Sequence, residues 1–198
     1  MELPGAPATY ALIIANLIAS LYGLLFDQRF VESYVFNVGA LARRKQHYRV
    51  FTSSFLHGDL FHLLFNMMTL FYFGPVVERT LGMDGFLVVY FGAVLTSGIV
   101  SFYVNRNNDE YSSLGASDGV SGVLLAFCVF YPMENIYIFF LPVGIPAILF
   151  AVLFIAISAG LMGREGNRIS HEGHLGGAIA GVVLTLLMRP DALSGIIG

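Results

Sequence analysis

A chain of 198 residues has the length of one domain, yet 57% of it is hydrophobic, 12% is charged and its mean hydropathy is +0.76. This balance excludes an ordinary soluble domain and puts the chain in the membrane class. The formal net charge of -3, with no basic cluster interleaved with aromatics, excludes a nucleic-acid partner. The one cysteine, Cys128, cannot form an intramolecular disulfide.

The opening MELPGAP has no basic residue ahead of the first apolar run. Neither a secretory signal nor an Arg-rich transit peptide is therefore expected, and the first apolar segment is expected to stay in the mature chain. A spanning helix needs about 20 mostly apolar residues. Six stretches approach that length: Ala8 to Phe26, Leu60 to Val77, Gly85 to Val104, Leu114 to Met133, Ile136 to Met162 and His174 to Met188. The expectation is an all-α, polytopic membrane protein, with six transmembrane helices in a single domain over 1–198. In the fifth stretch Pro142 and Pro146 should delay the regular helix, because proline lacks an amide hydrogen and clashes with the preceding turn. The fourth and sixth spans are short, and a helix starting below the membrane surface leaves a water-filled cavity above it.

The longest loop, Asp27 to Asp59, differs in kind. Val31, Tyr34, Val35, Val38 and Leu41 fall at mixed three- and four-residue spacing, followed by Arg43-Arg44-Lys45 and the apolar-rich run from Tyr48 to Leu56. This pattern predicts an amphipathic segment lying in the membrane interface.

Ionisable side chains inside a span are costly and normally face the protein interior. His62 and Asn66 stand four residues apart on one face of the second span, while Ser117 and His174 begin the fourth and sixth. If helix direction alternates, the starts of spans two, four and six share one side of the membrane. All four groups then converge at one depth. Each also has a plainer reading: Asn66 as helix-to-helix glue, His62 as a packing histidine, Ser117 as a helix cap, Ser121 as a small packing residue. The pair His171 and His174 has metal-ligand spacing but lacks the acidic partner of a zinc helix, which leaves zinc a second reading. The plain readings do not account for the convergence.

Glycines support it. Gly173, Gly177 and Gly181 recur every four residues, and Gly115, Gly119 and Gly122 recur at four and three, so both helices can approach a neighbouring backbone closely. Such packing would bring a serine hydroxyl within reach of an imidazole.

At these residues the chain resembles the rhomboid family of intramembrane serine proteases. The family signatures occur in order: His62 to Asn66 as H-x-x-x-N, preceded by His57; Gly74, Glu78, Arg79 and Gly82 at the end of the second span; Gly115-Ala116-Ser117 as G-x-S; and Gly173-His174-Leu175-Gly176-Gly177 to Gly181. There are two departures. Tyr48-Arg49 stands where the family has Trp-Arg, and Asp118 stands where a glycine follows the serine. The second departure makes the intact Gly119-Val120-Ser121-Gly122 a rival motif.

The resemblance implies a six-helix rhomboid-like bundle with an interfacial first loop, and hydrolysis of a peptide bond in transmembrane protein substrates. Ser117 would be the nucleophile and His174 the base, with His62 and Asn66 supporting the oxyanion; Ser121 and His171 are the second candidates. No cofactor and no metal is implied, the partners are the lipid bilayer and substrate helices, and the expected location is a bacterial inner membrane. The rival functions are an inactive rhomboid-like protein that binds transmembrane helices, and a small channel or transporter, for which no inverted repeat is evident. Family topology opens the site outward, yet eight of the ten Lys and Arg residues, Arg164 and Arg168 among them, would lie on that side. The positive-inside rule favours the reverse orientation.

Overall fold

The computed structural model describes residues 5–137, 143–162 and 170–193. Among them are eight α-helices: α1 (Pro7–Leu25), α2 (Gln28–Tyr34), α3 (Val38–Arg44), α4 (Arg49–Thr52), α5 (Leu60–Asn105), α6 (Ser117–Phe130), α7 (Ala147–Leu161) and α8 (His171–Met188). The fold is mostly helical, as expected. By length and composition α1 and α5 can cross a membrane, whereas α6 and α7 are shorter apolar helices.

The second and third expected spans, placed at 60–77 and 85–104, are two helices that follow one another within α5 with no loop between them. A single residue interrupts it. Gly82 leaves the helical region at φ 75° and ψ 167°, a conformation that glycine adopts without a side-chain clash. The fourth helix is trimmed to 117–130 because Gly115 lies at φ 134°, outside the helical range. The fifth begins only at Ala147, after Pro146, as the prolines predict. Before it lies a hairpin of β3 (Asn135–Tyr137) and β4 (Gly144–Pro146), paired antiparallel with Ile136 opposite Ile145, which periodicity does not reveal. Pro142, Arg164 and Arg168 fall outside the described residues. The sixth helix starts at His171, three residues earlier than expected, because the Ser170 side chain caps it by accepting from the Gly173 N–H at 3.2 Å.

The amphipathic segment expected in the long first loop is made of several short elements. It folds as three short helices, a 3-10 turn at Ser53–Phe55 and a strand, β1 (Phe36–Asn37), paired with β2 (Ser112–Ser113). Its small core of Phe36, Val38 and Leu41 packs on Val50, Phe102 and Tyr111. Arg49, only 6% exposed, holds the loop together: its Nη1 donates to the carbonyls of Glu32 (2.9 Å) and Val35 (2.8 Å), and its Nε to Gln46 Oε1 (2.7 Å).

The bundle has an apolar core with buried polar side chains set into it, and its exterior is apolar as well. Asn16, Ser20, Glu78, Ser97, Ser121, Ser158 and Thr185 are buried, while large apolar side chains such as Ile18, Phe26, Tyr72 and Leu187 are exposed. An apolar exterior of this extent suits contact with lipid. Glu78 explains one acidic signature: its carboxylate accepts from the Ala8 N–H (2.9 Å), the Thr9 N–H (2.8 Å) and Thr9 Oγ1 (2.7 Å). A negative charge satisfying the free amides at the start of α1 pins that helix to α5. At the centre α6 packs against both α5 and α8. A Cβ at Gly177 would collide with the Asp118 carbonyl oxygen, and one at Gly181 with the carbonyl oxygen of Gly122. The α6 and α8 backbones touch along this line, which only glycine permits.

Candidate active site

Three helix starts build the site. Asp59 caps α5, accepting from the His62 N–H at 2.8 Å, so His62 sits in the first turn. Asn66, one turn further and 6% exposed, donates from Nδ2 to the His62 carbonyl at 2.9 Å. Ser117 is the first residue of α6. In front of it, a Cβ on Gly115 would lie 2.6 Å from His62 Cε1, 2.8 Å from His62 Nε2 and 3.4 Å from Ser117 Oγ. The missing side chain at Gly115 thus lets the imidazole edge close on the turn that carries the hydroxyl. In the first turn of α8 the His174 ring stacks on Phe154 of α7, with centroids 6.2 Å apart and planes at 22°.

Ser117, Ser121, His174, His62 and Asn66 all border one cavity of about 470 Å³, with Phe154 on its wall. The convergence expected from alternating helix directions is therefore present. His171 is not on this wall; its ring meets that of His174 edge-on at 6.3 Å. Of the two serines, Ser121 is buried, at 5% exposed, and Ser117 is partly open. Ser117 Oγ and the His174 ring face the cavity without a direct hydrogen bond, an arrangement common where catalytic contacts tighten only on substrate binding. Asp118 turns toward α8. Its Oδ1 lies 2.7 Å from the point a Gly173 Cβ would occupy, where Ser97 Oγ (2.8 Å) and Ser170 Oγ (2.7 Å) also converge. The carboxylate that replaces the family glycine fits because position 173 has no side chain. Among the described residues no group of three or more His, Cys, Asp or Glu side chains could hold a metal ion.

Around the cavity lies a second ring of polar groups that spacing alone does not single out. Glu172, 5% exposed, accepts from Asn105 Nδ2 at 2.9 Å and from the Tyr111 hydroxyl at 2.5 Å, tying the start of α8 to the loop after α5. Burial and the neighbouring carboxylate push the Tyr111 phenol well above its usual range. His57, 1% exposed, is pushed down to about 3 by burial and by the nearby His62, with Asp59 opposing. It is neutral at any ordinary pH. A sequence signal for His57 exists only in its position, five residues before His62.

A mostly helical chain with an apolar exterior and a polar cavity at its helix starts has the character of a polytopic membrane protein, and comparison with known proteins narrows the class. Residues 44–191 match the Rhomboid domain, and the chain belongs to the rhomboid family, a family of membrane proteins. It is 26% identical over 196 residues to RHOMBOID-like protein 12, mitochondrial, of Arabidopsis thaliana, covering 90% of this chain and 57% of that protein. It is 34% identical over 134 residues to the Presenilin-associated rhomboid-like protein, mitochondrial, of Rattus norvegicus, covering 66% of this chain and 35% of that one. It is 32% identical over 142 residues to the Rhomboid protease GluP of Bacillus subtilis (strain 168), covering 72% and 26% respectively. The chain thus spans 57% or less of the length of each of these relatives. Two of the three are named mitochondrial, so these matches support a membrane location but not the bacterial inner membrane expected above.

Proposed function

We propose that the chain is an intramembrane serine endopeptidase that cuts transmembrane segments of other membrane proteins with a Ser117–His174 dyad. The two halves of α5 on either side of Gly82, together with α1, α6, α7 and α8, make the six membrane crossings. Ser117 Oγ attacks the scissile carbonyl carbon while His174 takes the hydroxyl proton; the tetrahedral intermediate then expels the amine, which leaves with that proton. Water enters from the cavity, gives a proton to His174 and attacks the ester carbonyl; Ser117 Oγ then leaves, taking that proton from His174, and the carboxylic acid product is released. The oxyanion is stabilised by the Ser117 N–H, which has no partner among the described residues, and by His62 and Asn66, whose donors border the same space. A dyad of this kind works without the third carboxylate of soluble serine proteases.

The observation that carries this reading is the cavity shared by Ser117, His174, His62 and Asn66. It is supported by family membership and by a relative named as a protease. The rival serine, Ser121, lies one turn, about 5.4 Å, further along the helix and is more deeply buried, and His171 is off the cavity wall. The test is labelling with a fluorophosphonate. Wild type and Ser121→Ala should label, while Ser117→Ala and His174→Ala should not, because an alcohol without its base is unreactive. Label that persists in Ser117→Ala and vanishes in Ser121→Ala moves the nucleophile one turn. The second reading, a helix-binding protein without peptidase activity, is favoured by Asp118 beside the serine and by the open Ser117–His174 contact. A folded wild type that neither labels nor cleaves would establish it.

A further inference from the structure

His57 takes no part in the mechanism above. It is 1% exposed and is not on the cavity wall, so it cannot touch a substrate, yet both of its ring nitrogens are engaged. The backbone N–H of Ala116, the residue before Ser117, points at His57 Nε2 at 3.3 Å. His57 Nδ1 lies 2.8 Å from Ser20 Oγ on α1, and Ser20 Oγ lies 2.9 Å from the Phe55 carbonyl. The hydrogens can be assigned in one way only. A backbone N–H can only donate, so Nε2 holds a lone pair and Nδ1 carries the ring hydrogen. Ser20 Oγ then accepts from Nδ1–H and gives its own hydrogen to Phe55 O, since a carbonyl can only accept. The resulting chain of three bonds runs from the turn before α6, through the imidazole, to α1 and the loop.

The neighbouring amide is held from the same segment: Gly115 N–H donates to the Ser53 carbonyl at 3.1 Å. Gly115 is at φ 134°, where a residue with a side chain would be strained. Two consecutive amides are thus fixed to residues 53–57 in the turn before the helix. The next amide, that of Ser117, is the first left free. We propose that His57 is a positioning residue, whose Nε2 holds the Ala116 amide and so sets where the Ser117 hydroxyl and N–H stand relative to the cavity. This deepens the peptidase reading and rests on it for its kinetic consequence, but the clamp itself can be tested without activity. A charged ring would replace the Nε2 lone pair with a second hydrogen facing Ala116 N–H, and the low proton affinity of the buried ring keeps that form away at ordinary pH.

The experiment uses the full chain in detergent, with His57→Leu, His57→Gln and His57→Asn beside wild type. Gln places an amide oxygen close to where Nε2 stands and can still accept from Ala116. Asn reaches only as far as Nδ1 and keeps the Ser20 contact alone. Imidazole nitrogen shifts of wild-type His57 should report the Nδ1–H tautomer, unchanged from pH 5 to pH 8. The Nε2–H tautomer, or a ring that titrates within that range, would overturn the clamp whatever the protein does chemically. Turnover of a transmembrane peptide and the rate of fluorophosphonate labelling should both fall about tenfold or more in Leu and Asn with KM little changed, while Gln recovers to within about threefold; a tenfold change corresponds to the loss of about one hydrogen bond's contribution in the transition state. Equal behaviour of Gln and Asn, or full turnover in Leu, would refute the positioning role. If wild type neither cleaves nor labels while the tautomer is as stated and the Ala116 amide loses exchange protection in Leu and Asn but not in Gln, the clamp stands and the peptidase reading falls.

Discussion

Two apolar helices of nearly equal length, α6 with 14 residues and α7 with 15, are used in opposite ways. Ten residues of α6 are buried, including the run Gly119 to Ala126. In α7 only Ala147 and Ser158 are buried, and Leu149, Val152, Leu153 and Ile157 lie open. The more hydrophobic of the two, α7, is the less buried, since in a bilayer lipid is as good a neighbour for leucine as protein is. What separates them is glycine. Gly119 and Gly122 of α6 allow Tyr90 and Ala93 of α5 to come within contact, and Gly177 and Gly181 of α8 meet the α6 backbone from the other side. Around the corresponding glycine of α7, Gly160, no atom of the described residues lies within 4 Å of where a Cβ would stand. The turns leading into the helices differ as well. The one before α6 is fixed through an imidazole as well as a carbonyl, the one before α7 through carbonyls alone among the described residues, with Ala147 N–H donating to Glu134 O and Ile148 N–H to Pro132 O.

The contrast is broken most severely by Gly181→Ala. The added Cβ would meet backbone of α6, which cannot swing aside as a flexible side chain can. The expected loss is at or above the upper end of the roughly 1–3 kcal/mol typical of overpacking, read from thermal or denaturant unfolding in micelles, with fluorophosphonate labelling reduced in parallel. Unchanged stability would mean that the α6–α8 seam is looser than these contacts require.

Acid should act next, on the turn before α6 and not on the one before α7. His57 is pushed down to about 3 in the fold from an ordinary value of 6.5, so between those limits the unfolded chain binds a proton that the folded chain does not. Its contribution is therefore complete above about pH 6.5 and is lost as pH falls toward 3, with a slope of at most about 1.4 kcal/mol per pH unit. The melting temperature should drop over that window, and His57→Gln should flatten the part of the drop that His57 causes. A variant with the same pH slope as wild type would show that the ring is not held neutral.

A smaller effect tests the one point where α7 reaches the site. Phe154→Ala removes the ring stacked on His174, and at the roughly 0.5–1.5 kcal/mol that an aromatic contact contributes turnover should fall about three- to tenfold. Stability should move little, because only Ala147 and Ser158 of α7 are buried. Unchanged turnover would leave α7 as a lipid-facing wall. The smallest change is Gly160→Ala, the counterpart of Gly181→Ala. With no described residue within 4 Å of the added Cβ, alanine should be neutral or should stabilise by up to about 0.5–1 kcal/mol through helix propensity. Destabilisation there would mean that α7 has a packing partner in the membrane.

Much of the candidate site is local in sequence and so can be read there. His62 and Asn66 share a helix face because four residues make about one turn, and Gly173, Gly177 and Gly181 form a stripe for the same reason. Boundaries are less legible. The break between the second and third helices is one glycine wide, and a hydropathy window averages over it. The start of α8 lies at His171 rather than His174 because a serine hydroxyl, itself polar, caps it. The first loop looks like one amphipathic segment because its apolar residues serve a small core of its own, and that core needs Phe102, from the far end of α5, and Tyr111 beyond it.

By itself the sequence determined the class, most of the helical segments, the two small-faced helices and the four polar residues near the starts of α5, α6 and α8, since each depends on composition or on spacing within one turn or two. Only the tertiary structure decided which of these meet. His57 gains a defined tautomer from Ser20, 37 residues before it, and from Ala116, 59 residues after it, and Asp118 finds room because position 173 on another helix has no side chain. Contacts of this kind depend on how helices pack across the bundle. No periodicity along one helix encodes them.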